Sequence, residues 1–468
     1  MNTLKTKVWS KAKIIVQEDF VAQKTGSPFS VYELFYVLVF SIFLFSLIYK
    51  SPVQRSNFYI FSDPLINLLV SQSVLDYGTI RLDNYTQSVL INSNDFRLIE
   101  HNNHLYYFFP LGYSVFSIPF VWAANLMGKS MTLISDDIWL QSILSTLMVI
   151  SCFIIGYFIA RHFINQYWSM FFSLIFVLGS SVISTMGTAL WSINYEVIFI
   201  LLGILILINY NKIRKSIFPY ILAATLFSAY FCRPTAATFI IPAGIYLFIK
   251  DKNSFFKSTF SFIILFCFFI LFSLIELHQI VPVYYFPERV AHARVFFTAL
   301  YGHLLSPSRG ILIYSPHIII TLVLISIFFK KLKLWKNPFI WISLIWFSLH
   351  LFINSNFLEW WGGWSYGNRL FTDVMPAFFL LIVIFWKYAL ISLSKIKINY
   401  IFIVFFVAAT VAVFINTYQG LYNVSTAYWN IRPSIDKNQK YLFDWRFPQF
   451  LSTPDMLERK MEIQGIFY

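Results

Sequence analysis

Residues 190–210 read LWSINYEVIFILLGILILINY, an apolar run in which Glu196 is the one charged side chain. A helix needs about 20 such residues to cross the hydrocarbon core of a bilayer, and this run is long enough. Hydrophobic residues make up 58% of the 468-residue chain and charged residues only 12%, whereas about a quarter of a soluble domain is charged. So few charges cannot cover a water-exposed surface. The composition therefore excludes a disordered chain or a nucleic-acid-binding domain and predicts an all-α polytopic membrane protein.

Apolar runs of this kind recur along the whole chain. We predict eleven transmembrane helices, at residues 31–49, 138–160, 167–187, 190–210, 217–235, 236–250, 257–278, 311–329, 337–354, 370–391 and 398–418. A further run, 106–127, contains Pro110 and Pro119, and we expect these prolines to break its middle.

The positive charges decide how these helices are oriented. The net charge is +14, and lysine and arginine cluster in short loops at 212–215, 250–257 and 330–336. Cytoplasmic loops are enriched in these residues. All three loops lie on the cytoplasmic side only if 106–127 dips into the membrane and returns, or lies along its interface. The N-terminus is then cytoplasmic and the C-terminus external.

This topology divides the chain into three parts. Residues 1–30 form a basic, amphipathic cytoplasmic segment, and residues 31–418 form the transmembrane domain. That domain has a large first external loop, 50–105, followed by the re-entrant segment 106–127. Residues 419–468 form an external tail. Because the long polar connections are all external, we expect the functional site on the outer face.

A carboxylate marks the first external loop. Asp63-Pro64 precedes apolar residues at helical spacing between 65 and 75, which predicts a short helix lying on the membrane surface. Asp63 either caps that helix or acts as a general base above the bilayer, where partial desolvation tunes a carboxylate.

Three arginines fall at outer ends of predicted spans. Arg233 precedes Pro234 at the end of one span, and it either binds an anion or pairs with Glu196. Arg309 belongs to the stretch LLSPSRG at 304–310, which either binds phosphate or forms a turn into the next helix. Arg369 ends a third, aromatic stretch.

That aromatic stretch, EWWGGWSYGNR at 359–369, combines large rings with three glycines. Its Trp361, Trp364 and Tyr366 form either an interfacial belt or a pocket for a sugar or acceptor. A belt does not need glycines, which let rings approach a ligand closely. Asp63 and the three arginines come from four distant elements that the topology places on one face. Together they predict a site for a lipid phosphate and a hydroxyl-bearing acceptor.

Five elements follow one another along the chain: the Asp63 helix, the Phe109–Gly112 segment, the Arg233-Pro234 pair, Ser306–Gly310 and Trp360–Arg369. Their order and composition resemble the GT-C superfamily of integral-membrane glycosyltransferases. The resemblance covers about residues 31–391. It is closest to bacterial members related to the protein O-mannosyltransferases and the aminoarabinose transferase of lipid A.

The resemblance implies transfer of a sugar from a polyprenyl-phosphate donor to a hydroxyl of a glycan, lipid or protein. The reaction would take place on the extracytoplasmic face of the bacterial inner membrane, among its lipids, with inversion and without a cofactor. Asp63 matches the catalytic carboxylate, and Arg233 matches a cationic residue for the donor phosphate, a role also predicted for Arg309 and Arg369. Many relatives carry a second acid where Pro64 stands here, and a proline where Asn368 stands. Asp83 and Glu196, which we place in the sugar or acceptor pocket, are the candidates for that acid, and structural pairing is the alternative role for each.

Two alternatives remain at this level. His101 and His104 have a spacing that suits a metal, but two histidines without a third ligand do not make a metal site, and no metal is assigned. A polytopic transporter or lipid flippase for a phosphate-bearing lipid or glycoconjugate is the rival function. It predicts ionisable residues near mid-membrane and broken helices.

Overall fold

The computed structural model describes residues 30–86, 90 and 95–463. The predicted amphipathic segment 1–30 lies outside the described residues, except for Ser30. Helices of eight or more residues are labelled in chain order. The first seven are α1 (Val31–Ile48), α2 (Asn67–Tyr77), α3 (Gly112–Leu126), α4 (Ile134–Arg161), α5 (Gln166–Leu178), α6 (Ser192–Ile208) and α7 (Phe218–Cys232). The others are α8 (Ala237–Lys250), α9 (Lys252–Leu277), α10 (Phe296–Leu305), α11 (Pro316–Phe328), α12 (Pro338–Ser355), α13 (Met375–Ser392), α14 (Lys395–Val413) and α15 (Pro454–Glu462).

Many of these helices are apolar along their whole length. Six in the described part of the chain are long and apolar enough to cross a membrane, namely Val31–Ile48, Ile134–Arg161, Lys252–Leu277, Pro338–Ser355, Met375–Ser392 and Lys395–Tyr422. Shorter apolar helices lie at Gln166–Leu178, Ser192–Ile208, Phe218–Cys232, Pro234–Lys250 and Pro316–Phe328. The prediction of an α-helical, multi-pass membrane protein is confirmed at this level, and the number of spans stays a prediction.

One β-hairpin interrupts the helical fold and was not predicted. Strands β1 (Leu98–His101) and β2 (His104–Tyr107) pair in antiparallel register, with Leu98 opposite Tyr107. Asn102 and Asn103 both have positive φ, as a tight two-residue hairpin turn requires. The hairpin is the sole sheet among the described residues.

Helix α2 decides one of the two interpretations of Asp63. The helix begins at Asn67, and its N-cap is Ile66, so Asp63 does not cap it. All residues from Asn67 to Ser73 are buried, so the helix packs against other parts of the protein, and its place along the membrane surface stays a prediction. Its leucines do have helical spacing, but its polar residues also face protein: the Ser71 hydroxyl, for example, donates to the Ser114 carbonyl.

Helix α3 corrects the prediction that Pro119 breaks the segment 106–127. The helix is continuous across Pro119 and packs along α2, with further contacts to α6 and α7. These contacts offset the backbone hydrogen bond that the proline removes. Its first residue, Gly112, touches the end of α7, because a Cβ atom there would lie 2.5 Å from the Phe231 carbonyl oxygen. Glycine therefore permits the close approach of α3 and α7.

The C-terminal segment, which we predict to be an external tail, is folded against the rest of the chain. Helix α14 is continued by a π-helical stretch, Phe414–Gln419, and a last short turn that ends at Tyr422. The following residues fold back over the 304–310 and 359–369 loops. Together they build a second core from Trp360, Trp361, Trp429, Ile435, Tyr441, Leu442, Phe447 and Leu457. We call residues 423–463 the C-terminal cap.

Candidate functional site

The structure brings Asp63 and Arg369 together. Asp63 Oδ2 lies 3.0 Å from a terminal nitrogen of Arg369, and the two side chains are 22% and 14% exposed. The partial exposure leaves both groups accessible to a small ligand. The guanidinium carbon of Arg369 lies 4.3 Å from the centre of the Trp191 ring, just before α6. A cation over an indole face is held by electrostatic attraction to the ring.

The backbone around Asp63 is held from three sides. A terminal nitrogen of Arg97 donates to the carbonyls of Phe61 (3.1 Å) and Ser62 (3.3 Å). Gln141 Nε2, on α4, donates to the Pro64 carbonyl at 3.2 Å. The Tyr107 hydroxyl, at the end of β2, donates to the carbonyl of Asp63 itself. The unpredicted hairpin thus helps to fix the Asp63 backbone.

Arg233 lies in a buried group of charges. It follows the last residue of α7, and its side chain is 9% exposed. Its Nε lies 3.5 Å from Asp373 Oδ2 and 3.8 Å from Glu196 Oε2, distances that are long for hydrogen bonds. Both interpretations of Arg233 keep support, because it faces carboxylates and is also near enough to Asp63 to interact with it electrostatically.

Arg309 has a different environment from the other two arginines. It is 1% exposed, and its five N–H groups face neutral oxygens of Ser308, Trp361, Gly363, Asn430 and Gln449. Burial lowers the pKa of Arg309 to about 10, so the side chain still carries its charge at neutral pH. No N–H group is left for a phosphate. The phosphate role predicted for Arg309 therefore has no support in this geometry, and we assign it the joining of two loops to the C-terminal cap.

Arg309→Lys is expected to lower the free energy of unfolding by at least about 2 kcal/mol, because an ammonium group cannot replace five hydrogen bonds in a planar fork. Chemical unfolding in detergent, with exposed Arg446→Lys as the control, measures the effect. An unchanged unfolding midpoint would contradict the structural role.

A second cation lies beside Arg309 in the C-terminal cap. Lys460 Nζ is 3.7 Å from the centre of the Trp429 ring and donates to the Trp429 carbonyl at 2.9 Å. The guanidinium carbon of Arg309 is 5.7 Å from the centre of the same ring. Burial, and after it the charge of Arg309, lowers the pKa of Lys460 from 10.5 to about 7.

This shift predicts a pH-dependent stability of the C-terminal cap. Between about pH 7 and pH 10.5 the unfolded chain holds a proton on Lys460 that the folded chain has released, so stability rises with pH. Below pH 7 the cost of the buried charge is fully present. Unfolding followed across this range should show the rise, and Lys460→Met should reduce it. An equal pH dependence in the variant would contradict the assignment.

The three rings of the predicted aromatic pocket differ in exposure: two are buried and hydrogen-bonded within the protein, and one is exposed. Trp361 Nε1 donates to Asp436 at 2.9 Å, and the Tyr366 hydroxyl donates to the Ile415 carbonyl at 2.7 Å. Both side chains are buried, whereas Trp364 is 42% exposed. The ring of Trp364 lies 6.2 Å from that of Phe58, on the loop that carries Asp63. Trp364 is therefore the member of the three that can contact a ligand.

Asp83 is held away from the Asp63–Arg369 pair. Asp83 accepts from the Leu105 amide at 2.8 Å and lies 2.8 Å from His104 Nδ1. His104 Nε2 in turn lies 3.1 Å from Arg81, which pairs with Glu276 at 2.6 Å. These contacts tie the hairpin to α9. Within residues 30–86, 90 and 95–463, no group of three histidine, cysteine or acidic residues is placed to hold a metal.

An apolar groove of about 700 Å³ opens between α3, α7 and α9. Val115, Phe227, Phe231, Phe268 and Phe272 are among its lining residues, and Arg81 and Glu276 stand at its polar edge. Its lining residue Phe231 is two residues before Arg233 in the chain, and Arg233 itself is not part of the lining.

Sequence reasoning missed several residues of this site. Asp373 and His350 lie inside or beside predicted spans, and Thr235 and Trp191 lie at helix ends. A carboxylate at the start of an apolar run is costly without a partner, and that cost was the available signal for Asp373. Nothing in the sequence distinguishes Trp191 from other tryptophans near helix ends.

No protein-family model, no curated protein and no solved structure matches this chain. The site has to be interpreted from its own geometry.

Proposed function

We propose that this chain is a membrane glycosyltransferase that moves a sugar from a polyprenyl-phosphate donor to an acceptor hydroxyl. The observation that carries the proposal is the accessible Asp63–Arg369 pair. The buried Arg233 adds a positive charge that acts electrostatically on Asp63. A carboxylate beside an arginine supplies both requirements of the reaction, a base for the acceptor and a positive charge for the departing phosphate.

The groove supports a lipid-linked donor. Its lining is mostly apolar and includes phenylalanines of α7 and α9, which suits a prenyl chain. We place the donor phosphate at Arg233, which follows the end of the same helix α7. Trp364 and the ring of Trp191 then border the sugar.

The proposed reaction begins when Arg369 exchanges Asp63 for the donor phosphate as its partner. A donor phosphate that draws Arg369 away from Asp63 leaves the carboxylate free to act as a base. Asp63 accepts the proton of the acceptor hydroxyl while the hydroxyl oxygen bonds to the anomeric carbon. The bond from that carbon to the phosphate oxygen breaks, and its electron pair leaves with the phosphate. A single displacement from the opposite face inverts the anomeric configuration.

The proposal includes eleven membrane spans, an external C-terminus and a site on the extracytoplasmic side of a bacterial inner membrane. The long and the shorter apolar helices together supply the spans. A helix of 13 residues is only about 20 Å long, so the shorter ones need the turns at their ends, or local thinning of the bilayer, to cross about 30 Å.

Cysteine labelling tests this orientation. In a Cys267→Ser background, a cysteine at Lys437 should react with an impermeant reagent on intact cells, and one at Lys333 only after permeabilisation. Both side chains are exposed, and Cys267 is the exposed native cysteine of the described residues. The reverse pattern contradicts the orientation and the external site.

Incubation of the purified protein with radiolabelled polyprenyl-phosphate sugars and candidate acceptors tests the function. We expect label to pass from the lipid to an acceptor with at least one sugar. If water hydrolyses the donor and the label never reaches an acceptor, the result contradicts a transferase.

Transport of a phosphate-bearing lipid or glycoconjugate is the second candidate. The buried Glu196, Asp373 and Arg233 favour it, because buried ionisable residues also line transport pathways. Reconstituted vesicles separate the two: movement of a labelled lipid phosphate between leaflets, unaffected by Asp63→Asn, favours transport.

A further inference from the structure

Two carboxyl groups and one hydroxyl meet behind Arg233. Thr235 Oγ1 lies 3.1 Å from Glu196 Oε1 and 2.7 Å from Asp373 Oδ2. A hydroxyl has one hydrogen and can donate to only one of these oxygens. The second short contact needs a hydrogen on the carboxyl side, donated to Thr235 Oγ1. The hydrogen bonds are therefore complete only when the carboxyl pair carries one proton.

The charges of the buried group lead to the same conclusion. Glu196 and Asp373 are 0% and 1% exposed, and Arg233 is the guanidinium paired with both. Two carboxylates against one guanidinium leave one negative charge, and an uncompensated buried charge strongly destabilises the fold. One shared proton removes it. Glu196 Oε2, Asp373 Oδ1 and Arg233 Nε have no hydrogen-bond partner among the described residues.

The titratable groups that act on the pair come from several elements. They are Arg233 and Cys232 at the end of α7, His350 on α12, and Tyr285 on the loop after α9, while Tyr284 on that loop and Asp63 act on Arg233. Of these, His350 is the group that ordinarily titrates near neutral pH. Its Nε2 donates to the Leu370 carbonyl at 2.7 Å and is 3.6 Å from Asp373 Oδ1, too far for a hydrogen bond.

We propose that Glu196 and Asp373 form a binding site for a single proton, and that this proton sets how strongly Arg233 attracts an anion. With the proton bound, the charge of Arg233 is balanced by one negative charge. Without the proton, two carboxylates surround the guanidinium, and their second negative charge repels an incoming anion. Anion binding and proton uptake then favour each other, as linkage requires. The effect of the proton on anion binding rests on the proposed function, whereas the proton site itself does not.

Infrared spectroscopy of the purified protein tests the proton site without any ligand. At neutral pH we expect the C=O band of a buried carboxylic acid, shifted in deuterated water and lost as the pH rises. Glu196→Gln and Asp373→Asn should each remove the part of the band that comes from this pair, which separates it from any band of the buried Asp137 carboxyl group. Glu276→Gln, which changes a carboxylate of the Arg81 pair, should remove none of it. If wild-type protein has no such band, the proposal is overturned, whether or not the variants fold. If His350 carries the proton and both carboxyl groups are ionised, there is also no carboxylic band, and the proposal is overturned in that case too.

Binding of farnesyl methyl phosphate tests the coupling. This phosphodiester keeps one negative charge across the pH range, so its own titration does not contribute. In wild-type protein its affinity should fall by up to about tenfold per pH unit where the carboxylic band disappears. In Asp373→Asn, an isostere without the titrating proton, the affinity should no longer depend on pH in that range.

The outcomes separate the two proposals. A pH-independent wild-type affinity overturns the coupling, and an affinity that depends on sodium at constant pH identifies a metal cation in place of the proton. If the probe does not bind at any pH, the proposed phosphate site and the coupling both fail. The infrared band still decides whether the proton site exists.

Discussion

Asp63→Asn is expected to lower turnover by about 100- to 10,000-fold, the usual contribution of a positioned general base. The amide has the size of the carboxylate but cannot accept the proton of the acceptor hydroxyl. The structure removes the main alternative, because α2 begins at Asn67 and Asp63 does not cap it. Initial rates of sugar transfer, at saturating donor and acceptor, measure the effect.

The matched control is Asp444→Asn, which also removes a carboxylate paired with an arginine, here at 2.7 Å. It should leave turnover unchanged. Because an accessible ion pair contributes only about 0–1 kcal/mol, both variants should unfold close to the wild-type midpoint. Normal turnover in folded Asp63→Asn protein would remove Asp63 from the mechanism.

Arg369→Ala is expected to weaken binding of the lipid-linked donor by about ten- to a hundredfold, the value of one charge-assisted hydrogen bond. Arg369→Lys should have an intermediate effect, because it keeps the charge but loses the planar fork that lies over Trp191. Titration of the donor, in the Asp63→Asn background to prevent turnover, measures the affinity.

Arg446→Ala is the control for a general loss of positive charge, since Arg446 is an exposed arginine paired with Asp444. Donor affinity should be unchanged in that variant, and acceptor affinity should change little in either. If Arg369→Ala binds donor normally, the arginine serves only to hold Asp63. The phosphate role must then pass to Arg233.

The parts of the fold that depend on apolar length could be predicted from the sequence. The apolar runs correspond to helices because a run of about 20 residues carries its own signal. The continuity of α3 across Pro119 could not be predicted, since it depends on contacts with α2. The hairpin was missed because its strands have only four residues each.

The site shows the same division. Asp63 and Arg369 stand out as charged residues beside unusual loops, and they are in contact. Arg309 has the same sequence signal, but its guanidinium donates hydrogen bonds to the side chains of Asn430 and Gln449. These residues are more than 100 positions away in the chain, so no local pattern reveals the contacts. A charged residue can be located from sequence, but its partner usually cannot.

The Arg309 contacts also bear on the order in which the protein is made. The apolar helices insert while the chain is being synthesised, but the oxygens of Asn430 and Gln449 that Arg309 requires lie after the last of these helices in the chain. The 359–369 loop, which carries Arg369, is joined to the same arginine through Trp361 and Gly363. The loop that carries Arg369 therefore gains its full support only after the apolar helices have been made. A chain that stops before Asn430 lacks two of the five oxygens that hold Arg309, so we expect truncation there to disturb the proposed site without preventing insertion into a membrane.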